Sequence, residues 1–286
     1  MKNYLIFGGT GTLGFEIFKL LLDQGDTCTI VTRSPVSVET ENLELDLLDN
    51  ESLDKINFQK FDRVIYAAQS RNYKHSQSYE HEIFQLNYQI PMKLANICEL
   101  LEIPFAYTST GSIYESKSTP LTESDSWRKD GTHSIYTASK VAAEAGLAKY
   151  EKSKILRPFY IYGSKSSERM LIPTLFTKIL KDERIELSGD KGMIFNPINA
   201  VDAALATICM LESDVKVCNV AGDEIVSMLN VIEILSDLLN KTPNLTYTPS
   251  QTNYSVADIS LLKTLGYNNK YSLKEGLEHF VENYKN

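Results

Sequence analysis

Residues 4–18 read YLIFGGTGTLGFEIF, and this stretch decides the fold. Residues 4–7 are apolar and predict a buried strand, and the glycines that follow separate it from a helix with apolar residues at helical spacing. Gly8 permits a tight turn, Gly11 lets the backbone approach a pyrophosphate, and Gly14 lets the helix pack on the sheet. A helix N-terminus also supplies amide donors and positive potential for phosphates. The stretch therefore predicts a dinucleotide-binding strand–turn–helix.

The same alternation of strand and helix continues outward from this stretch over the first 160 residues. Strands are predicted at residues 27–32, 64–67, 105–109 and 154–156, and helices at residues 79–101 and 135–150. This order predicts an α/β fold with a Rossmann-type doubly wound parallel sheet.

Beyond residue 160 the pattern loosens. Helices at residues 170–181, 201–211 and 228–240 alternate with short strands at 185–187 and 215–220. We expect a smaller C-terminal substrate-binding lobe, formed by residues 161–195 and 221–286. The Rossmann domain is expected to span residues 1–160, with residues 196–220 returning to it.

Composition limits the class of partner. The chain has 286 residues, with 29 Lys+Arg against 37 Asp+Glu, and no basic cluster that could bind nucleic acid. No run of 18 apolar residues predicts a membrane span, and the apolar start is too short for a signal peptide. The four cysteines lie far apart and are expected to be buried free thiols in a reducing compartment. We expect a cytoplasmic protein with a small-molecule substrate.

The end of the second predicted strand bears on the choice of dinucleotide. It reads Thr32-Arg33-Ser34, with no acidic residue for the ribose hydroxyls of NAD. Arg33 instead offers a planar donor fork that suits a 2′-phosphate. The sequence therefore favours NADP as the cofactor, with NAD as the alternative.

The G-x-x-G-x-x-G spacing resembles the short-chain dehydrogenase/reductase superfamily, and the extended branch, the NAD(P)-dependent sugar epimerase/dehydratase family, is the most similar. Further motifs carry this resemblance almost end to end: Asp46 in LELDLLD, the strand DRVIYAA at 62–68, Asn87, RPFYIYG at 157–163, NVAG at 219–222 and ADIS at 257–260. The cofactor-binding residues that the motifs and the resemblance together predict are Gly8, Thr10, Gly11, Thr12, Leu13, Gly14, Arg33, Asp46, Leu47, Ala67, Ala68, Asn87, Ser109, Lys140, Pro158 and Phe159.

The proton-transfer pair of this superfamily is Tyr-x-x-x-Lys, which occurs here as Tyr136/Lys140 and as Tyr150/Lys154. Tyr136 lies at the start of a predicted helix, where residues four apart share a face. The second pair straddles a helix end and a strand start and is expected at the surface. A phenol is a poor base at neutral pH, so we expect the Lys140 cation to lower the pKa of Tyr136 and make it a general acid/base.

A hydroxyl should orient the substrate oxygen. The stretch YTSTGSIY at 107–114 resembles the corresponding family motif and places Thr110 in this role. Dehydratases of the family carry an Asp-Glu pair after this threonine, and the sequence here is Gly111-Ser112, which disfavours dehydration. Glu115 replaces a glycine of the motif, and nothing in the sequence explains it.

The sequence lacks the residue patterns of a metal site and of a hydrolase triad. The histidines at 75, 81, 133 and 279 show no metal-ligand spacing, so no metal site is predicted, and no G-x-S-x-G elbow is present. By resemblance the substrate is a sugar or a sugar nucleotide, and the reaction is ketone reduction or epimerisation. The alternative is a non-catalytic NADP(H)-binding regulatory protein, which the presence of both Tyr136 and Lys140 disfavours. A homodimer is also expected.

The residues that bind the substrate diphosphate in this family are altered. Tyr160 stands where the R-P-x-N-x-Y-G motif has asparagine, and the arginines that the family places within residues 189–202 and 242–257 are absent. Lys165, Lys178 or Lys191 could compensate as point charges. We therefore expect a changed diphosphate site or a substrate with less negative charge.

Overall fold

The computed structural model describes residues 1–34, 40–49, 51–73, 76–128 and 134–284. The strands, in chain order, are β1 (Asn3–Phe7), β2 (Thr27–Thr32), β3 (Glu41–Glu44), β4 (Arg63–Tyr66), β5 (Phe105–Thr108), β6 (Ser153–Pro158), β7 (Ile161–Tyr162), β8 (Ile185–Ser188), β9 (Ile194–Phe195), β10 (Ile198–Asn199), β11 (Val217–Val220), β12 (Val226–Ser227), β13 (Leu245–Thr248) and β14 (Tyr254–Ser255). The helices are α1 (Thr12–Asp23), α2 (Ser76–Phe84), α3 (Ile90–Leu100), α4 (Ile135–Leu147), α5 (Leu171–Leu180), α6 (Ala200–Leu211), α7 (Met228–Leu239), α8 (Ser260–Thr264) and α9 (Leu273–Asn283).

A seven-stranded parallel sheet forms the centre, in the order β11-β6-β5-β4-β1-β2-β3. Its strands are apolar on both faces, because helices cover both. On one face Ile6 and Ile65 pack with α1 and α6, and on the other Phe7, Val64 and Tyr66 pack with α3 and α4. The Rossmann-type doubly wound sheet predicted from the sequence is confirmed.

Strand order reverses beside β1, which lies between β2 and β4. In a doubly wound sheet, ligands bind in the crevice outside the carboxyl ends of the strands at this reversal. The ends of β1, β4, β5 and β6 therefore define where a site is expected.

A separate apolar cluster lies in the C-terminal half, where α5, α7 and α9 pack around Ile172, Leu235 and Phe280. Strand β11 pairs with β6 in the central sheet, and α6 packs on α1. The predicted division into two domains stays a prediction.

The long helix predicted at residues 79–101 is interrupted. Between α2 and α3 the chain forms a π-turn, Gln85–Gln89, and α3 has a proline in its first turn. The sequence pattern missed β3, β13, α8, α9 and the two-residue strands. Cys28, Cys98 and Cys218 are buried free thiols, as expected, and Cys209 is half-buried. None of the described helices has the length and apolar character that crossing a bilayer requires.

Candidate functional site

The glycine turn after β1 is built by close backbone contacts. Gly8 has φ +81°, and a Cβ there would lie 2.7 Å from the backbone nitrogen of Ala68, the second residue after β4. A Cβ at Gly14 would lie 2.3 Å from the carbonyl oxygen of Gly8. Only glycine fits at either position. The turn thus holds the ends of β1 and β4 together at the strand-order reversal.

The same turn leaves backbone exposed for a ligand. Gly11 donates its N–H to the Gly8 carbonyl over 3.0 Å and is exposed, and a Cβ there would meet nothing closer than 3.4 Å. Thr10 is also exposed, Thr12 is half-buried in the first turn of α1, and Leu13 is buried. An open glycine at a helix N-terminus fits a pyrophosphate.

The residues predicted to contact the adenosine half lie along β2 and β3. Arg33 follows β2, is exposed, and makes no hydrogen bond or ion pair with the other described residues. Asp46 follows β3 and is exposed, whereas Leu47 is buried and accepts a hydrogen bond from Gln85 at its carbonyl oxygen. Arg33 and Asp46 are therefore both exposed at this edge of the sheet, beyond the glycine turn.

Three predicted catalytic residues come together where β5 meets α4. Tyr136 lies in the first turn of α4, half-buried, and its phenol hydrogen-bonds with the side chain of Thr110, two residues after β5. The Thr110 oxygen accepts the N–H of Ser112 over 3.2 Å, which leaves its hydroxyl proton for Tyr136. Lys140, one turn further along α4, is 2% exposed and donates to the carbonyl oxygen of Thr108 over 2.6 Å.

The electrostatics of the pair differ from the expectation. Burial raises the pKa of Tyr136 to about 12, against a smaller lowering by the hydrogen bond to Thr110. Burial lowers the pKa of Lys140 to about 7, opposed by the negative charge of Glu144. The expected lowering of the Tyr136 pKa by Lys140 is therefore wrong for the free protein. The ammonium of Lys140 donates to the carbonyl oxygen of Thr108 and lies 6.0 Å from the centroid of the Tyr136 ring. Because the pKa of Lys140 is about 7, part of the population carries a neutral amine near pH 7.

Tyr73 covers the reactive phenol, and the sequence analysis did not identify it. Its ring lies 5.2 Å from the Tyr136 ring, centroid to centroid. The pKa of Tyr73 is raised by burial, and the nearby positive charge of Arg169 only partly offsets this. Arg169 belongs to the segment between β7 and α5, so this segment and Tyr73 meet at the mouth of the site. No local pattern marks Tyr73, because the contact joins residues distant in sequence.

Three predicted cofactor residues turn their side chains into the interior. Asn87, in the π-turn, is fully buried and donates to Ser139 over 3.0 Å, while its Oδ1 has no hydrogen-bond partner among the described residues. Ser109 donates to Glu144. Phe159 is buried, with its ring so close to Gly111 that a Cβ there would lie 2.4 Å away. By contrast Ala67, Ala68 and Pro158 are half-buried at the ends of β4 and β6.

Tyr160 has an unusual backbone for an aromatic residue, with φ +46°. Left-handed backbone at a bulky residue stores strain, and such strain is concentrated at functional sites. Its hydroxyl lies 3.1 Å from both Ser255 Oγ and Met193 Sδ, and its ring packs edge-on against buried Phe195, with 5.0 Å between centroids. The side chains in contact with Tyr160 are therefore all neutral.

The remaining predictions fall elsewhere. Tyr150 is half-buried in a turn after α4, and Lys154 is 7% exposed within β6, so the expectation that this pair lies on the surface is wrong for Lys154. Lys154 lies within the strand Ser153–Pro158, which pairs with β5 and β11 on its two sides. His75 and His133 lie outside the described residues.

Comparison with known proteins agrees with this geometry. The model of the NAD dependent epimerase/dehydratase family matches residues 4–221. A putative UDP-glucose 4-epimerase of Methanocaldococcus jannaschii is 24% identical, over 99% of this chain and 98% of its own.

Solved structures are similar along the whole chain. UDP-glucuronic acid 4-epimerase from Bacillus cereus, with UDP-glucuronic acid and NAD, has a TM-score of 0.84 at 22% identity, covering 98% of each chain. UDP-N-acetylglucosamine 4-epimerase from Methanobrevibacter ruminantium M1, in complex with UDP-N-acetylmuramic acid, has a TM-score of 0.83 at 26% identity. It covers 99% of this chain and 97% of its own.

Proposed function

The chain belongs to the NAD dependent epimerase/dehydratase family, and from this premise we propose that it oxidises or reduces a hydroxyl-bearing carbon of a sugar or sugar nucleotide. The net reaction is epimerisation or ketone reduction. One observation carries the proposal: Thr110, Tyr136 and Lys140 are assembled at the carboxyl edge of the sheet that also carries the glycine turn.

The cofactor of this enzyme family is a nicotinamide dinucleotide, and the site fits one. The tight turn at Gly8 and Gly14, the exposed backbone of Gly11 and the N-terminus of α1 would hold its pyrophosphate, and Ala67 and Ala68 would lie alongside. A dinucleotide held there would supply hydride transfer to or from the substrate carbon.

The protein's own side chains transfer the proton to or from the substrate oxygen. Tyr136 takes the proton of a substrate hydroxyl, or gives one to a carbonyl oxygen, while the Thr110 hydroxyl orients that oxygen. The free phenol has a pKa of about 12, so proton removal requires a charge that stabilises the phenolate. In the free protein Lys140 does not lower the pKa of Tyr136. We propose that it does so once the dinucleotide is bound, because it lies on the same helix face as Tyr136. Tyr73 limits the access of water to the phenol.

The choice between NADP and NAD depends on Arg33. Its exposure at the end of β2 leaves the guanidinium accessible to a 2′-phosphate, which supports NADP. The Bacillus cereus structure named above was solved with NAD, so NAD remains the alternative. An epimerase retains its dinucleotide through the cycle, whereas a reductase exchanges it. Nucleotide that survives dialysis of the purified protein would therefore identify an epimerase.

The substrate is expected to bind without the usual diphosphate contacts. Tyr160 occupies the position of the family's asparagine, and its hydroxyl is engaged with Ser255 and Met193. Of the cations considered as replacements, Lys178 donates to the carbonyl oxygen of Arg184, beyond the end of α5. Lys165 lies 5.4 Å above the ring of Phe15 in α1, next to the glycine turn. Among these lysines, Lys165 is therefore the better candidate for an anionic substrate group.

Titration of UDP, dTDP, GDP and CDP against the dinucleotide-loaded protein tests this part. Weak or absent binding of all four supports a substrate with less negative charge. Micromolar binding of one, lost in Lys165→Ala but retained in Tyr160→Ala, supports lysine replacement. Binding lost in Tyr160→Ala but not in Lys165→Ala, Lys178→Ala or Arg169→Ala would show that the pocket keeps the family geometry and that lysine replacement is wrong. A homodimer and a cytoplasmic location stay predictions.

A further inference from the structure

A buried carboxylate lies directly below the catalytic pair. Glu144 is 2% exposed, one helical turn beyond Lys140 and two beyond Tyr136, so the three share one face of α4. Its carboxylate pairs with Arg157 of β6, 2.6 Å from Nη2 and 3.0 Å from Nε, and also accepts the hydroxyl of Ser109. One side chain of α4 is thus bonded to both β6 and the end of β5.

Arg157 extends the connection to a third strand. Its Nη1 donates to the hydroxyl of Tyr114 over 2.6 Å, and that hydroxyl donates to Oδ1 of Asn219 in β11 over 2.7 Å. Burying an ion pair gains little stability compared with apolar residues of the same size. The pair instead ties α4 to β6 and, through Ser109, to the end of β5.

Three consecutive residues at the end of β5 each bond to a different member of this helix face. The Thr108 carbonyl accepts from Lys140, the Ser109 hydroxyl donates to Glu144, and Thr110 bonds to Tyr136. The bond between Ser109 and Glu144 therefore lies between the other two.

The negative charge of Glu144 also acts on Lys140. Within the described part of the chain, the other titratable side chains recorded near the ammonium are Tyr107 of β5, with its ring centroid at 4.6 Å, and Tyr136 at 6.0 Å. Both tyrosines are neutral at pH 7. Arg157 of β6 is charged and is paired with the carboxylate of Glu144. Among the described residues, Glu144 is the one whose charge opposes the effect of burial on Lys140.

We propose that Glu144 is a positioning residue, which through Ser109 holds Thr110 against Tyr136 and through its negative charge favours the ammonium form of Lys140. This inference rests on the proposed function for its catalytic meaning, but its electrostatic half can be measured without substrate or cofactor.

The first experiment follows the titration of Lys140 by NMR of isotope-labelled lysine in the dinucleotide-free protein. Glu144→Gln should move the titration to lower pH by at least about one unit, because a nearby opposite charge is lost and the Arg157 charge is left unbalanced. Glu144→Asp, which keeps the charge, should titrate near the wild type. The control Asp202→Asn neutralises another buried carboxylate, in α6, and should leave Lys140 unchanged. An unchanged titration in Glu144→Gln overturns the proposal.

The second experiment separates register from charge. Ser109→Ala keeps the ion pair and removes only the bond to β5. It should lower kcat about tenfold, with KM, dinucleotide affinity and the Lys140 titration unchanged. If Glu144→Gln does not fold, Ser109→Ala still decides, and a wild-type kcat in Ser109→Ala overturns the proposal. Full activity in Tyr136→Phe would instead refute the proposed function and leave the NMR result standing.

Discussion

Replacing the glycines of the first turn one at a time separates its folding role from its binding role. Gly8→Ala places a Cβ on left-handed backbone, which costs roughly 1–2 kcal/mol. The Cβ also lies 2.7 Å from Ala68 N and 2.8 Å from the carbonyl carbon of Ala67, and overpacking of this kind costs about 1–3 kcal/mol more. We expect Gly8→Ala to lower the free energy of unfolding by about 2–5 kcal/mol.

Gly25→Ala is the matched control, because Gly25 also has φ +81° but a Cβ there would meet nothing within 4 Å. It should lose only the roughly 1–2 kcal/mol of the backbone term. Gly11 has φ −86°, which alanine adopts freely. Gly11→Ala should leave stability unchanged or raise it by about 0.4–1 kcal/mol.

Dinucleotide affinity should fall in Gly11→Ala, the substitution that costs the least stability. A methyl group at Gly11 projects into the exposed space where the pyrophosphate would approach, so dinucleotide affinity should fall at least about tenfold, or about 1.4 kcal/mol. Urea unfolding gives the stabilities, and calorimetric titration of NAD and NADP gives the affinities. Unchanged affinity in Gly11→Ala, or Gly8→Ala no less stable than Gly25→Ala, would refute the account of this turn.

Three further predictions follow from the site. Tyr136→Phe should lower turnover roughly 10²–10⁴-fold with dinucleotide affinity intact, since only the exchangeable proton is lost; activity within about threefold of wild type contradicts the assignment. Arg33→Ala should weaken NADP binding roughly 10- to 150-fold and leave NAD binding unchanged, by loss of a charge-assisted bond of about 1.5–3 kcal/mol, and equal losses would give Arg33 another role. The Lys140 pKa of about 7 lies below the value of about 10.4 expected in the unfolded chain, so the unfolded state binds more protons between these values and the contribution of Lys140 to stability rises with pH. The difference in unfolding free energy between wild type and Lys140→Met should therefore change between pH 7 and 9, and a constant difference would mean that Lys140 is not buried as a titrating group.

The sequence predicted the features that local patterns encode. The glycine spacing after an apolar strand, and the alternation of strands with helices, were enough for the parallel sheet and its turn. The spacing of Tyr136 and Lys140 predicted a shared helix face, which the structure shows. The position of Thr110 followed from resemblance to the family motif and from its place at a strand end.

Features that depend on distant contacts were not predictable in this way. The contact of Tyr73 with Tyr136 and the network of Glu144, Arg157 and Ser109 join segments far apart in sequence. The pKa of Tyr136 was predicted in the wrong direction, because spacing shows that Lys140 is near but not that its ammonium is bonded to a carbonyl oxygen and desolvated. Two-residue strands such as β7 and β9 are too short for any periodicity.

The central claim is that Tyr136 moves the proton while hydride is exchanged with a sugar carbon. The direct measurement incubates the dinucleotide-loaded protein with a panel of free sugars, uronic acids and UDP-, dTDP-, GDP- and CDP-sugars, in wild type and Tyr136→Phe. Reduced nicotinamide is followed by absorbance and the sugar products by NMR. The account predicts conversion of at least one compound by wild type, slowed roughly 10²–10⁴-fold in Tyr136→Phe. Tight dinucleotide binding with no conversion of any compound would contradict it and favour a non-catalytic dinucleotide-binding regulator.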